Sequence, residues 1–182
     1  EQVRQEFAIP DNAFVFGLLG RLDPVKGHRD FLRAAGNLAR QEQSRGQPIR
    51  LLILGFEANH TIKEVQTWID EEGLNNIASI TGKREDITAC LSALDAGVIA
   101  SKGSETIARA ALELMACGRP ILSTHVGVMP DIVAQEALFA PGDVDALSAR
   151  MLALMNDQHY ASRLKDQQAE RLRSLTGPEF LH

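Results

Sequence analysis

Apolar residues occur along the chain in two patterns, as short continuous runs and as stretches with helical spacing. Short runs rich in β-forming residues predict buried strands over 14–19, 49–54, 77–80, 96–100, 120–123 and 137–139. Apolar positions three and four residues apart predict helices over 2–7, 28–40, 59–72, 86–93, 105–116, 129–134, 143–155 and 158–175. Strands therefore alternate with helices along the chain.

This alternation predicts an α/β domain with a doubly wound, six-stranded parallel sheet of the Rossmann-like type, covered by helices on both faces. The simplest strand order is 3-2-1-4-5-6. At 182 residues the chain has the length of one domain, so we expect residues 1–182 to form a single unit. In this order the loops after the first and fourth strands flank the topological switch point, where open α/β sheets bind ligands.

Composition and charge narrow the possible functions. Hydrophobic residues make up 45% and charged residues 24% of the chain, which are globular values. The 19 basic and 24 acidic residues give a formal net charge of −5, which disfavours nucleic-acid binding. No apolar run approaches the ~20 residues of a membrane-spanning helix, so we predict no transmembrane segment. Cys90 and Cys117 lack metal-ligand spacing, and we expect buried, reduced thiols in a cytoplasmic protein.

The loop after the first strand carries two cations five residues apart. It contains Gly20, Arg21 and Lys26, and Gly27 precedes a helix that begins with His28. A guanidinium, an ammonium and the free amides of a helix N-terminus are groups that bind a phosphate or diphosphate, and the His28 ring could add a donor. The loop has neither the dinucleotide fingerprint nor a Walker sequence. The alternative is a solvated loop whose cations bind no ligand.

The loop after the fourth strand leads to two carboxylates, Glu105 and Glu113. If 105–116 is helical, they are separated by about 80° of rotation and about 12 Å of rise. That spacing is too wide for one metal ion but suits hydroxyl groups of an extended ligand. An ion pair between Arg109 and Glu113 is the alternative reason for a carboxylate in this apolar helix, although that order of charges is the weaker one.

Three segments of the chain match the motifs of one enzyme family. Gly20-Arg21-Leu22-x-x-x-Lys26-Gly27 is similar to its G-R-L-x-x-x-K-G loop, 105–113 to its Glu-x7-Glu motif, and 113–121 to its E-A-M-A-x-G-x-P-V segment. The chain thus resembles, over about 3–156, the donor-binding C-terminal domain of retaining glycosyltransferases of the group 1 family, which have the two-lobed GT-B architecture.

The resemblance implies a role for each matching residue. Arg21 and Lys26 would neutralise the donor diphosphate and act in catalysis together with Glu105, which would face the donor sugar. Glu113 would hold the ribose hydroxyls. The remaining predicted donor contacts in the two loops are Gly20, Gly103, Ser104, Thr106 and Ile107. The turn after the third strand, with Lys83 and Arg84, would hold the nucleobase.

Two segments depart from the family pattern. Where the family usually has Gly-Phe-Gly after its first glutamate, this chain has Thr106-Ile107-Ala108, whose side chains would narrow the sugar pocket. In the segment that resembles the family's G-G-x-x-E, Asp131 replaces a nearby glutamate.

Asp143-Val144-Asp145 looks like a metal-binding D-x-D, but after Pro-Gly it is better explained as a helix N-cap with a first-turn acid.

The implied activity is transfer of a sugar from a nucleotide-diphosphate sugar to an acceptor, with retention of configuration and without a metal or other cofactor. The acceptor, a glycan or a lipid, would be bound by an N-terminal lobe that this chain lacks. We therefore expect the chain alone to be inactive, and membrane contact from the inner face, if any, to involve that lobe. A nucleotide-sugar epimerase and a non-catalytic nucleotide-binding module are the alternatives.

Overall fold

The computed structural model describes residues 1–42, 47–103 and 105–175. Within these residues one sheet contains the strands β1 (Phe14–Leu19), β2 (Ile49–Leu54), β3 (Ala78–Ile80), β4 (Ala96–Ile99), β5 (Ile121–Thr124) and β6 (Leu138–Phe139). The order is β3-β2-β1-β4-β5-β6, and every neighbouring pair is parallel. The predicted fold class and strand order are confirmed.

The described residues contain eight α-helices. They are α1 (Gln2–Glu6), α2 (His28–Glu42), α3 (Ile62–Glu71), α4 (Ile87–Ser92), α5 (Arg109–Ala116), α6 (Met129–Ile132), α7 (Val144–Asn156) and α8 (Gln158–Leu175). Helix α2 packs against α3 and α7, whereas α5 packs against α4 and α8. This is the helical covering expected for a parallel sheet.

The core is densest around the central strands. Phe16 of β1 and Leu51 of β2 lie side by side in the sheet register and are completely buried. Phe31 and Leu38 of α2 are buried too, because their spacing puts both on the face of α2 that meets the core. Each such side chain stabilises the fold by about 1.5–3 kcal/mol. This core holds the carboxyl ends of β1, β2 and β4 at fixed positions.

Helix α3 begins three residues later than predicted. Its N-cap is Thr61, whose hydroxyl accepts a hydrogen bond from the Glu64 amide at 3.2 Å. The Glu64 carboxylate accepts one from the Thr61 amide at 2.7 Å, which completes a capping box. Residues 59–60 therefore stay outside the helix, and the His60 amide instead donates to the Leu22 carbonyl at 2.9 Å.

Helix α5 also begins later than predicted, at Arg109 instead of residue 105. Ala108 has a left-handed backbone with φ of 48°, which interrupts helical geometry. The Glu105 carbonyl accepts a hydrogen bond from the Val128 amide at 3.0 Å rather than from a following turn of helix. The prediction of a helix over 105–116 is wrong in its first turn, and the helical spacing assumed for the two glutamates does not apply.

The two cysteines differ in burial. Cys90 is buried as expected, but Cys117 is only half-buried, because it lies at the C-terminal end of α5. Among the described residues, no helix combines the length and the apolar character needed to cross a membrane.

Candidate functional site

A cavity of about 630 Å³ opens at the switch point of the sheet. It is formed by the loop after β1, by Phe56 in the segment that follows β2, and by the segment that leads into α5. Its lining residues are Leu19, Gly20, Arg21, Lys26, Phe56, Glu105, Thr106, Ile107, Ala108, Arg109, Ala110 and Glu113. Four of the six charged residues expected to bind a ligand, Arg21, Lys26, Glu105 and Glu113, thus share one cavity.

The loop after β1 is fixed by a short 3₁₀ turn over Pro24–Lys26. Gly27 ends this turn with φ of 70°, and a Cβ there would lie 1.9 Å from the Ala100 carbonyl oxygen. Only glycine allows such an approach. The Lys102 amide also donates to the Val25 carbonyl at 2.8 Å, so the loops after β1 and β4 are held against each other.

Lys26 and Glu105 form an ion pair in this cavity. The Lys26 Nζ lies 2.6 Å from Glu105 Oε1, and the Ser101 hydroxyl donates to the same carboxylate oxygen. Glu105 is 7% exposed, and the Lys26 side chain is 25% exposed. The Thr124 hydroxyl donates to the Ser101 carbonyl at 2.7 Å and supports the loop from β5. The two side chains are therefore direct partners.

Arg21 presents a more accessible cation. Its side chain is 56% exposed, and its Nε lies 3.4 Å from Asp23 Oδ2. Asp23 is buried, and the pKa of its carboxyl is lowered chiefly by the hydrogen bond from the Val25 amide, with smaller contributions from Asn59 and Arg21. Asp23 is therefore anionic at neutral pH. The terminal amino groups of Arg21 remain available for a ligand anion.

Glu113 lies half-buried on α5 and lines the cavity. In the described part of the chain no ion pair joins Arg109 to Glu113, so this alternative explanation of the buried acid finds no support. A carboxylate on a cavity wall can accept hydrogen bonds from ligand hydroxyl groups.

A smaller cavity of about 230 Å³ adjoins the larger one. The two share Leu19, Gly20, Arg21 and Phe56. The smaller cavity is completed by apolar side chains and by the turn after β3: Leu54, Gly55, Gly82, Lys83, Arg84 and Ile87. Lys83 is exposed there. The two cavities thus offer a charged compartment beside a narrower, mostly apolar one.

Arg84 lines the smaller cavity but has other partners. Its guanidinium contacts both carboxylate oxygens of Asp86 at 2.8 Å and those of Glu6 at 2.6 and 2.9 Å. The hydrogen bonds to Asp86 and then to Glu6 raise the pKa of Arg84. Arg84 therefore links α1 to the start of α4, and a ligand would compete with two carboxylates for it.

The remaining predicted contacts are distributed unevenly. Thr106 and Ile107 line the larger cavity from the loop before α5, and Ile107 is 72% exposed. Both residues precede Ala108, the N-cap of α5, so they lie outside that helix. Gly103 lines neither cavity, and Ser104 lies outside the described residues.

His28 does not contribute to the cavity wall. It is 2% exposed, and burial lowers the pKa of its imidazole to about 4. Neither ring nitrogen has a hydrogen-bond partner in the part of the chain that is described. His28 is a neutral packing residue under the loop, not a donor to a ligand.

The Asp143 carboxylate accepts a hydrogen bond from the Ala146 amide at 2.9 Å, which confirms its interpretation as the N-cap of α7. Among the described residues, no group of three or more His, Cys, Asp or Glu side chains is arranged to hold a metal ion.

Sequence reasoning missed Phe56, Asp23 and Ser101. Phe56 is a half-exposed aromatic residue two positions after the end of β2, and the rule that ligands bind at the carboxyl ends of strands could have indicated it. Asp23 follows Arg21 by two residues and reads locally as a turn former. Ser101 gave no signal, because its role depends on the position of Glu105.

The fold and the site together define a doubly wound α/β domain with cations and carboxylates around a cavity at its switch point. The chain belongs to the family described as Glycosyl transferases group 1, which matches residues 1–171. A D-inositol 3-phosphate glycosyltransferase of Corynebacterium urealyticum is 29% identical over 140 residues, covering 74% of this chain and 32% of that protein. The corresponding enzyme of Corynebacterium efficiens is 28% identical, covering 97% of this chain and 42% of that protein. The chain thus spans between about a third and two fifths of these relatives.

Solved structures have the same fold. Anabaena HepE in complex with UDP superimposes with a TM-score of 0.83 at 23% identity, over 95% of this chain and 47% of that chain. The C-terminal domain of the group 1 glycosyl transferase LpcC from Francisella tularensis gives a TM-score of 0.76 at 23% identity, over 96% of this chain and 91% of that domain. The chain therefore matches nearly all of the LpcC C-terminal domain and about half of HepE.

Proposed function

We propose that this chain supplies the donor site of a glycosyltransferase that moves a sugar from a nucleotide-diphosphate sugar to an acceptor with retention of configuration. The observation that carries the proposal is the common cavity of Arg21, Lys26 and Glu113 at the switch point. Family membership supports the reaction class. The relatives named as glycosyltransferases, and the HepE structures with UDP and UDP-glucose, support the class of donor.

In this proposal the diphosphate lies against Arg21 and Lys26. The planar guanidinium binds phosphate oxygens in pairs, while the ammonium acts as a point charge that keeps Glu105 as its second partner. As the bond between the anomeric carbon and the phosphate oxygen breaks, negative charge grows on the leaving diphosphate. Cations already fixed in position stabilise that charge without reorganisation, and this requires no metal ion.

The ribose, the sugar and the nucleobase of the donor contact other residues of the two cavities. Glu113 accepts hydrogen bonds from the ribose hydroxyls, and Glu105 faces the sugar. The apolar cavity beside Phe56 receives the nucleobase, near Lys83. Acceptor binding and any group that receives the acceptor proton belong to a second lobe, so the chain alone binds donor weakly and transfers nothing.

Calorimetric titration of the chain with UDP, GDP and ADP, with and without EDTA, tests the donor site. Arg21→Ala and Glu113→Gln should each weaken binding of the preferred nucleotide about tenfold, because each removes hydrogen bonds to a charged group. Arg163→Ala and Glu170→Gln are matched controls on α8, outside both cavities, and should bind as the wild type does. Unchanged affinity in both site variants, or loss of binding with EDTA, would contradict the proposal.

The reaction is tested on the full-length gene product with a panel of UDP-, GDP- and ADP-sugars. Release of nucleoside diphosphate that depends on an added acceptor, with the α or β configuration of the donor kept in the product, supports a retaining transferase. An altered sugar still attached to the nucleotide would indicate an epimerase instead. Nucleotide binding without either product would indicate a binding module.

A further inference from the structure

Asp23 contacts Arg21 and the 3₁₀ turn that ends at Lys26, but it does not face the ligand cavities. Its Oδ1 accepts a hydrogen bond from the Val25 amide at 3.0 Å and caps the 3₁₀ turn that ends at Lys26. Its Oδ2 lies 3.4 Å from the Nε of Arg21 and accepts a hydrogen bond from the side-chain Nδ2 of Asn59 at 2.8 Å. Asp23 is absent from the lining of both cavities.

The contact between Asp23 and Arg21 leaves the two terminal amino groups of the guanidinium available to a ligand. Asp23 approaches Nε, while the side chain remains 56% exposed and lines both cavities. Guanidinium donors lie in one plane, so fixing Nε also fixes the direction of the two terminal amino groups. Holding this long side chain in place beforehand lowers the rotamer entropy that ligand binding must otherwise remove.

Lys26 depends on the same aspartate through the backbone. The Lys26 amide donates to the Asp23 carbonyl at 2.9 Å, in addition to the side-chain cap at Val25. The 3₁₀ turn is thereby fixed at its beginning, and Lys26 leaves it towards Glu105. One residue thus sets the position of both cations.

Asn59 holds Asp23 from the segment that follows β2. The segment after β2 runs beside the loop after β1, because the Leu22 amide donates to the Phe56 carbonyl at 2.8 Å and the His60 amide donates to the Leu22 carbonyl. Asn59 lies within this segment and donates to Asp23 from it. The aspartate is therefore held from two elements of the fold.

An acidic residue at this place is unfavourable for anion binding by charge alone. A carboxylate 3.4 Å from the guanidinium cancels part of its positive potential, and burying a carboxylate costs free energy unless its oxygens are paired. We propose that Asp23 is a positioning residue, which acts through Arg21 and the capped turn to present both cations to a diphosphate. This inference rests on the proposed donor site.

Asp23→Asn separates positioning from charge. Asparagine keeps an oxygen that can cap the 3₁₀ turn, but it removes the anion beside Arg21 and brings an amide towards Asn59. Positioning predicts about tenfold weaker binding of both UDP and inorganic pyrophosphate, whereas charge alone predicts tighter binding. In an Arg21→Ala background the same substitution should have at most a twofold effect, because its main path has been removed.

Two further variants complete the design. Asn59→Ala keeps the charge and the cap of Asp23, and should weaken both ligands about threefold. Asp157→Asn changes another aspartate that accepts a backbone hydrogen bond, from Tyr160 at 3.0 Å, far from the site, and should leave binding unchanged. Affinities are measured by calorimetry or, for weak variants, by NMR titration, with urea unfolding to verify folding.

The outcomes distinguish the two proposals. Unchanged or tighter binding by Asp23→Asn, or equal effects in the wild-type and Arg21→Ala backgrounds, would overturn the positioning role. If pyrophosphate binds and depends on Asp23 while the nucleotides bind no better than pyrophosphate, the positioning role stands and the nucleotide site fails. If neither pyrophosphate nor UDP binds the wild-type chain, both proposals fail.

Discussion

The ion pair between Lys26 and Glu105 has consequences that its separate residues would not have. Burying a carboxylate without partners costs free energy, and Lys26 and the Ser101 hydroxyl provide the partners of Glu105. Lys26 in turn keeps donors for a phosphate, because an ammonium has three. Any ligand anion at Lys26 therefore also affects the side chain proposed to face the sugar.

His28 makes the stability of the domain depend on pH. Burial lowers the pKa of its imidazole to about 4, whereas the unfolded chain has the ordinary value near 6.5. Between these values the unfolded state binds the extra proton, so stability must fall as pH decreases from about 6.5 to about 4. The contribution lost is roughly 3 kcal/mol at the lower end.

Urea unfolding of the wild type and His28→Gln at intervals between pH 4.5 and 7.5 measures this effect. The variant is expected to be less stable at neutral pH, because the buried site is packed around a ring, but its stability should change less over the interval. His159→Gln, at an exposed position of α8, is the control and should retain the wild-type slope. Parallel pH profiles for the wild type and His28→Gln would show that His28 does not cause the dependence.

At the scale of elements, the sheet could be predicted and the entry to α5 could not. Continuous apolar runs identify β1 and β2, and strand alternation with helices fixes a parallel order through the handedness of crossovers. The predicted first turn of α5 was wrong because residues 105–108 have a helical sequence pattern, whereas the hydrogen bond from the Val128 amide and the left-handed backbone of Ala108 impose a loop. Those interactions come from a distant part of the chain, which local periodicity does not report.

The loop before α5 depends on a close backbone approach at Gly127. It has φ of 54°, and a Cβ there would lie 2.1 Å from the Glu105 carbonyl oxygen. Gly118 has φ of 66° with open space around its Cβ position, so it isolates the backbone cost alone. Gly118→Ala should destabilise by about 1 kcal/mol, and Gly127→Ala by at least about 2 kcal/mol with weaker UDP binding. Equal losses in thermal unfolding, with UDP affinity unchanged in both, would show that the Glu105 loop does not depend on this close approach.

At the scale of the whole molecule, the site exists only because three strands end together. Arg21 follows β1, Phe56 follows β2 and Glu105 follows β4, so residues far apart in the chain share one sheet edge. The switch-point rule located that edge from the sequence, and the charged residues in its loops could be named. The two cavities and the aromatic wall between them could not, since they depend on side-chain positions in three separate loops.

The adjoining cavities fit a ligand with an anionic part and a flat apolar part, and Phe56 contacts both spaces. If a nucleobase stacks on this ring, Phe56→Ala should weaken UDP binding about tenfold, because base stacking on an aromatic side chain is worth about 1–3 kcal/mol. Pyrophosphate, which lacks a base, should bind the variant as it binds the wild type. Ile62→Ala removes another exposed apolar side chain, on α3 and outside both cavities, and should change neither affinity. Equal weakening of UDP and pyrophosphate would mean that Phe56 supports the phosphate loop through packing, and the base would then have to lie elsewhere along the sheet edge.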